Sequence, residues 1–466
     1  MLQKYYTIVV LGDTQAGKST LLGRLTYLVG GIDKKTIEGF AIEAHKIGYV
    51  NNSAYAWVSD QSQDERQSGS TARCHLLNFP TSTHGITAID TPGARPLLRQ
   101  AIAGIGHADA ALLVVSAASG EFESGFKAGG PTRECLSLAA SLGIRSLIVA
   151  VTKLDTEAPD EVQARYAEIM AEIGRFCPKL GFAADSIVTV PVSGSLGSNL
   201  IIPDPDWADW YRGPTLLTVM NRLDVDILRR QQALPVVETP EELSAIAGLR
   251  CTILDVARGA SGTATLIGRV VAGSLRPNAV LTAAPSTASI RVDAVHLVGD
   301  PDTDRAFALP GDLVRLSLHD VPASLAAGQV LSDAAANRAR GVTSFTARLT
   351  VLDHPTGLRA GYRALLNVHG AEIRCEVGAI LNRLDRRNGR VVSTAPGCLR
   401  DQEMGDVQCI PLDPVSLDPA ATHPWLGRVV LRFVPPEDAP PPEDPDEEPE
   451  VQRTVATGTV MSLVAG

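Results

Sequence analysis

Up to about residue 225 the chain alternates short apolar runs with stretches of helical periodicity. Residues 6–11, Tyr-Thr-Ile-Val-Val-Leu, are apolar or β-branched and predict a buried strand. A helix is predicted over Lys18–Leu28. Further strands are expected at 85–90, 110–116, 146–152 and 187–192, with helices at 132–142 and 160–176. This rhythm predicts an α/β domain over 1–228, a parallel sheet with helices on both faces. The pattern then changes. Residues 229–248, with their Gln, Pro and Glu clusters, read as a linker. Beyond it, short alternating strands separated by Gly, Pro, Asp and Asn predict two antiparallel β-barrels, at 249–340 and 341–466. No apolar run approaches the ~18 residues of a membrane helix, and Met1–Tyr6 lacks the pattern of a signal peptide.

Charge alters this picture at one place. The 466 residues carry a net −10, but residues 435–450, PPEDAPPPEDPDEEPE, hold eight acids, seven prolines and no base. The rest of the chain is therefore close to neutral, with no general excess of Lys and Arg to neutralise phosphates. The acidic stretch lies between strand-like segments and is expected to be a disordered insertion in the last barrel, because it cannot bury a core. Seven cysteines form no CxxC pair, so reduced buried thiols are expected rather than a zinc site or disulfide framework.

The chemistry-bearing motifs sit where strands end. Gly12-Asp13-Thr14-Gln15-Ala16-Gly17-Lys18-Ser19-Thr20 fits GxxxxGK[ST] between a strand and a helix. Its amides and the helix N-terminus would surround phosphates, Lys18 would neutralise the β and γ oxygens, and Ser19 would ligate Mg²⁺. Asp90-Thr91-Pro92-Gly93 follows an apolar run: the aspartate would reach Mg²⁺ through water, and the Gly93 amide would reach the γ-phosphate. Thr152-Lys153-Leu154-Asp155 has the form [NT]KxD of a guanine-reading loop. Asp155 would accept from guanine, and the Lys153 stem would lie along the base. Ser193-Gly194-Ser195 fits the last base-contacting loop.

Together these residues resemble the translational GTPases around elongation factor 1-alpha, including their ribosome-rescue and release-factor relatives. The resemblance covers nearly the whole chain. Residues 30–38 look like the eukaryotic insertion after the P-loop helix, and 55–60 with 64–66 like the approach to switch I. Gly120-Glu121-Phe122-Glu123-Ser124-Gly125-Phe126 with 129–134 is specific to the eukaryotic-type branch. In the barrels 310–312, 352–355, 360–362 and 426–428 match, while 194–200 and 210–211 lean toward the rescue factors. The resemblance implies a GTPase domain followed by two β-barrels, binding of GTP and GDP with Mg²⁺, and Thr71 as a further Mg²⁺ and γ-phosphate contact. It implies GTP-dependent delivery of aminoacyl-tRNA to the ribosome, the alternatives being a non-hydrolysing adaptor or delivery of a tRNA-like protein. A guanine nucleotide exchange factor, a monomeric state and a cytoplasmic location go with it.

The sequence departs from the family in the P-loop, at Asp13 and Gln15, in switch I, where residues 68–73 change the flanking charges but keep Thr71, and in three further places. The residue after DxPG is His in the family and Ala94 here, so hydrolysis is expected to be impaired. Thr152 replaces the usual Asn and loses its amide. In the first barrel, His296-Leu297-Val298-Gly299 stand where the family carries Glu-Met-His-His; a barrel histidine is the expectation for His296.

Overall fold

The computed structural model describes residues 4–49, 53–81, 83–158, 160–237, 239–240, 243, 248–259, 262–333, 338–352, 354, 356–433 and 453–464. The acidic stretch 435–450 lies outside them, as does part of the expected linker. The chain divides into two compact units, the first spanning Met1–Gln232 and the second holding most of the remainder.

The first unit is built on six strands: β1 (Lys4–Leu11), β2 (His75–Pro80), β3 (His84–Asp90), β4 (Ala110–Ser116), β5 (Leu147–Thr152) and β6 (Ile187–Pro191). They lie in the order β2-β3-β1-β4-β5-β6. All neighbours are parallel except β2, which runs antiparallel to β3. Every residue of β4 and β5 is buried, which explains their unbroken apolar character. Leu21, Leu22 and Leu25 of the helix Lys18–Leu28 pack with Ile8, Val10, Leu112 and Val114 in the core. Parallel strands send their C-terminal ends to one edge of the sheet. There Leu11, Asp90, Ser116, Thr152 and Pro191 lead into the loops that carry the motifs.

The helix Val225–Gln231 runs into the stretch expected to be linker. Asp224 caps it, accepting from the amides of Asp226 (2.9 Å) and Ile227 (3.1 Å). The side-chain amide of Gln232 then donates to the carbonyls of Ala108 and Asp109, both at 2.9 Å, so the chain stays on the first unit to that point.

In the second unit β7 (Arg250–Arg258), β8 (Ala264–Ala272), β9 (Val280–Ala284), β10 (Ala288–Leu297), β11 (Leu313–Leu318) and β12 (Val330–Asp333) close into a barrel. Next come β13 (Gly341–Val342), β14 (Phe345–Val351), β15 (Arg363–Val368), β16 (Ala371–Leu384), β17 (Val391–Thr394), β18 (Met404–Pro411), β19 (Val415–Ser416), β20 (Arg428–Phe433) and β21 (Thr454–Leu463). Of these, β15-β20-β21-β14-β18-β16 form a second ring closed by β15–β16 pairing, with β17 beside β16. Alternate residues of β14, Phe345, Ala347, Leu349 and Val351, point into its core. Arg432 is fully buried in this ring, its guanidinium 2.8 Å from Glu372.

Candidate functional site

The phosphate loop follows β1. Gly12 takes φ 145°, and a Cβ there would lie 2.2 Å from the carbonyl oxygen of Val114, so only glycine allows the loop to lie this close to β4. Gly17, at φ 92°, precedes the helix, whose first turn no side chain caps. Its leading amides are left for an anion. The buried Lys18 turns its ammonium back to the carbonyls of Gly12 (3.1 Å) and Asp13 (2.8 Å). Burial lowers its pKa. The Asp13 carboxylate accepts from the Thr14 amide (2.6 Å), and its other oxygen lies toward Gly125. Gln15 sits at φ 62° and Ala16 is buried. Gly93 packs tightly on the loop, since a Cβ on it would approach Lys18 Nζ to 2.5 Å and the Thr14 amide to 2.6 Å. Ser19, Thr20, Thr71 and Gly93 share with Lys18 a cleft of about 120 Å³.

The residues expected to meet Mg²⁺ converge, and they bring others with them. Ser19 Oγ lies 2.9 Å from Thr71 Oγ1, and Thr71 Oγ1 donates to Asp60 Oδ1 at 2.8 Å. Asp90 is fully buried; its Oδ2 accepts from Ser59 Oγ at 2.5 Å, and its Oδ1 has no hydrogen-bond partner among the described residues. Burial raises the pKa of Asp90. Burial, with a further push from Asp90, raises that of Asp60 to about 6. Of these two buried carboxylates Asp90 keeps an unused oxygen, and the Lys18 ammonium only partly offsets the cost of its burial. A hard dication with oxygen ligands fits this donor set, which pairs hydroxyls of Ser19 and Thr71 with carboxylates of Asp60 and Asp90.

Thr71 is held in place by a brace that the sequence did not announce. The helix Gln63–Ser68 opens with a capping box between Ser62 and Glu65. One Glu65 oxygen accepts from the amide and hydroxyl of Ser62. The other accepts from the amides of Ala72 (2.9 Å) and Arg73 (3.3 Å) and from His75 (2.8 Å). Burial opposes the ionised form, but the hydrogen bonds from His75, Ala72 and Ser62 outweigh it and hold the carboxyl at about 2. The sequence places Ser59, Asp60 and Glu65 only in the approach to switch I, with no role at the site, and does not single out His75. Glu65 fits the S-x-x-E capping pattern with Ser62, a signal that could have found it.

On the other side of the loop, Thr152 Oγ1 donates to the carbonyls of Ala16 (2.8 Å) and Val115 (3.1 Å). The hydroxyl thus ties the end of β5 to the phosphate loop. Lys153, at φ 59°, pairs with Glu121 at 2.7 Å. The exposed Asp155 accepts from Ser195 Oγ (3.1 Å), which lies 2.9 Å from Ser193 Oγ. Gly194 packs over Leu21, where a Cβ would lie 3.3 Å from the leucine Cα. Ala94 starts the turn into the short helix Arg95–Leu97 and is half-buried. In the second unit, His296 lies 3.5 Å from Asp304 as a barrel histidine, and its pairing gives it a local partner.

Residues 3–241 match the elongation factor Tu GTP binding domain family, and residues 344–435 the GTP-eEF1A C-terminal domain-like family. Elongation factor 1-alpha of Hypocrea jecorina is 35% identical over 461 residues, which cover 98% of this chain and 94% of that one. The chain belongs to the elongation factor 1-alpha family of translational GTPases. Elongation factor 1-alpha of Entamoeba histolytica is 34% identical, over 98% of this chain and 96% of its own. The GTP-bound GTPase-like domain of S. cerevisiae Ski7 superposes with a TM-score of 0.76 at 15% identity, covering 98% of this chain and 97% of the other, a likeness of fold. Members of the elongation factor 1-alpha family bind guanine nucleotides, and the P-loop and [NT]KxD positions described above are where this member carries the corresponding motifs. Among the described residues, no helix is long and apolar enough to cross a membrane.

Proposed function

We propose that this chain binds GTP and delivers aminoacyl-tRNA, or a protein of that shape, to the ribosome, and that it hydrolyses GTP slowly. The observation that carries the reading is an imbalance in the site. The groups for binding are gathered: Lys18, the uncapped helix start, Ser19, Thr71, Asp60, Asp90, and Asp155 with its serine partners. The group for hydrolysis is lacking, because the methyl of Ala94 can neither donate nor accept a hydrogen bond. Its neighbours are already engaged. Arg95 hydrogen-bonds the Gly129 carbonyl, and Asp13 is held by the Thr14 amide.

Lys18 would move from the loop carbonyls onto phosphate oxygens, keeping its burial while gaining a stronger acceptor. Ser19, Thr71, Asp60 and Asp90 would hold Mg²⁺; the chemistry such an ion supplies is neutralisation of charge on the phosphate oxygens. Losing a residue that orients the attacking water lowers the rate by ~10²-fold or more. The test is titration of the nucleotide-stripped chain with GTP and GDP, then single-turnover hydrolysis with and without ribosomes and aminoacyl-tRNA. Ribosome-stimulated hydrolysis at a rate normal for the family would refute the reading of Ala94. A non-hydrolysing adaptor is the second reading. It is favoured by the Thr152 hydroxyl, which is spent on the phosphate loop rather than on the base.

A further inference from the structure

In GTP hydrolysis the oxygen of a water bonds to the γ-phosphorus as the bond to the β,γ-bridging oxygen breaks. The products are GDP and inorganic phosphate, and the proton of the water ends on phosphate. The protein's share of this step is to orient the water. Ala94 contributes nothing to that, so a slow rate depends on another polar group in the phosphate cleft. Among the neutral side chains lining the cleft, those of Ser19 and Thr71 are bonded to each other. Those of Thr14, Gln15, Thr20 and Ser70 have no hydrogen-bond partner among the described residues.

Of these four, Thr14 belongs to the residue packed against the turn that carries Ala94. A Cβ added to Gly93 would lie 2.6 Å from the Thr14 amide nitrogen and 2.7 Å from the carbonyl carbon of Asp13. Ala94 follows directly. Gln15, Thr20 and Ser70 are not among the atoms nearest Gly93. The position of Thr14 is fixed from behind. The Asp13 carboxylate accepts from the Thr14 amide at 2.6 Å, and a Cβ on Gly125 would approach its other oxygen to 3.0 Å. Thr14 is exposed, and it lines both the phosphate cleft and a neighbouring cleft of about 250 Å³. Its β-branched side chain has few rotamers, so a hydroxyl on this anchored backbone samples little space.

We propose that the Thr14 hydroxyl orients the attacking water in the slow hydrolysis of GTP, standing in for the group that Ala94 lacks. The inference rests on the reading that this chain binds and slowly hydrolyses GTP. A hydroxyl accepts one hydrogen bond from a water and donates another, but it is no base at neutral pH. It holds the water without taking its proton, which passes to phosphate. The rate therefore stays below that of a site with an imidazole at residue 94.

The test is single-turnover GTP hydrolysis by the full chain with Mg²⁺, beside fluorescent-nucleotide titration of the same variants. Thr14→Val keeps the shape of the side chain and removes the hydroxyl. It is expected to slow hydrolysis by about 10-fold while GTP affinity stays within about twofold, the size of one lost neutral hydrogen bond. Thr14→Ser, which keeps the hydroxyl, should stay within about threefold of the native rate. In the Ala94→His background, Thr14→Val should cost less than about twofold, because the imidazole then holds the water. An unchanged rate in Thr14→Val would overturn the proposal. So would a loss in Thr14→Ser as large as in Thr14→Val, or a loss of rate matched by a loss of affinity, since either marks a packing role. A loss in Ser70→Ala or Gln15→Ala without one in Thr14→Val would give the role to those side chains and overturn it too. GTP binding without any turnover would overturn the proposal and leave the binding reading standing. Absence of GTP binding would overturn both.

Discussion

Glu65 offers a quantitative test of how the site is braced. Its carboxylate accepts from the Ser62 amide and hydroxyl, the Ala72 and Arg73 amides and the His75 imidazole. Glu65→Ala removes every one of these at once. A hydrogen bond to a charged group contributes ~1.5–3 kcal/mol, but the freed donors regain water because this segment is only partly buried. A net loss of ~3 kcal/mol follows for the arrangement that holds 72–75 against the helix Gln63–Ser68, or about 100-fold in its population. Thr71 directly precedes Ala72, so its bonds to Asp60 and Ser19 loosen with it. The affinity for a non-hydrolysable GTP analogue with Mg²⁺ should therefore fall by about 100-fold, and that for GDP by much less. Fluorescent-nucleotide titration measures the affinities, and hydrogen exchange at Ala72 and Arg73 reports the brace directly. Unchanged exchange at these amides, with less than a threefold loss of affinity, would refute the reasoning.

Ala94→His should raise single-turnover hydrolysis by ~10-fold or more with nucleotide affinity unchanged, and an unchanged rate would place the defect elsewhere. Thr152→Val removes the hydroxyl that ties β5 to the phosphate loop. GTP and GDP titrations should weaken alike, by about 10-fold, as expected for ~1–2 kcal/mol of lost hydrogen bonding. Glu372→Ala leaves the fully buried Arg432 without its carboxylate and should lower stability in denaturant by ~3 kcal/mol, most of it recovered by adding Arg432→Met. For Glu65 the folded pKa, about 2, lies below the usual carboxylate value of about 4.3. Its stabilisation is complete above the unfolded value and is lost as pH falls toward the folded one. The gap in melting temperature between the native chain and Glu65→Gln should therefore shrink as the pH is lowered from about 6 to about 3.

Local order in the chain was enough for the elements and the phosphate loop. The apolar run of β1, the glycines of the P-loop and the helix behind it are contiguous, and each rests on backbone conformation or burial within a few residues. The helix Lys18–Leu28 and the strand Ala110–Ser116 fall where periodicity places them. Strand β2 was not legible: it is short, lies at the edge of the sheet and ends in Pro80, so its pattern is weak until β3 pairs with it. The helix Leu98–Ile105 likewise went unnamed.

The cation site shows the division most clearly. Ser19, Thr71 and Asp90 carry motif signals, but nothing near Asp60 or Ser59 in sequence says that they face Asp90. Packing of the 53–75 segment brings them there, and burial then raises the pKa of both aspartates. The same holds for Thr152, whose hydroxyl could face base or loop until the carbonyls of Ala16 and Val115 were in place. Sequence by itself determined most of the strands, helices and turns of the first unit, because those depend on neighbours along the chain, while the edge strand β2 needed its partner β3. Tertiary structure decided which carboxylates share a buried site and which hydroxyls face them, because charge and hydrogen-bond satisfaction depend on neighbours in space.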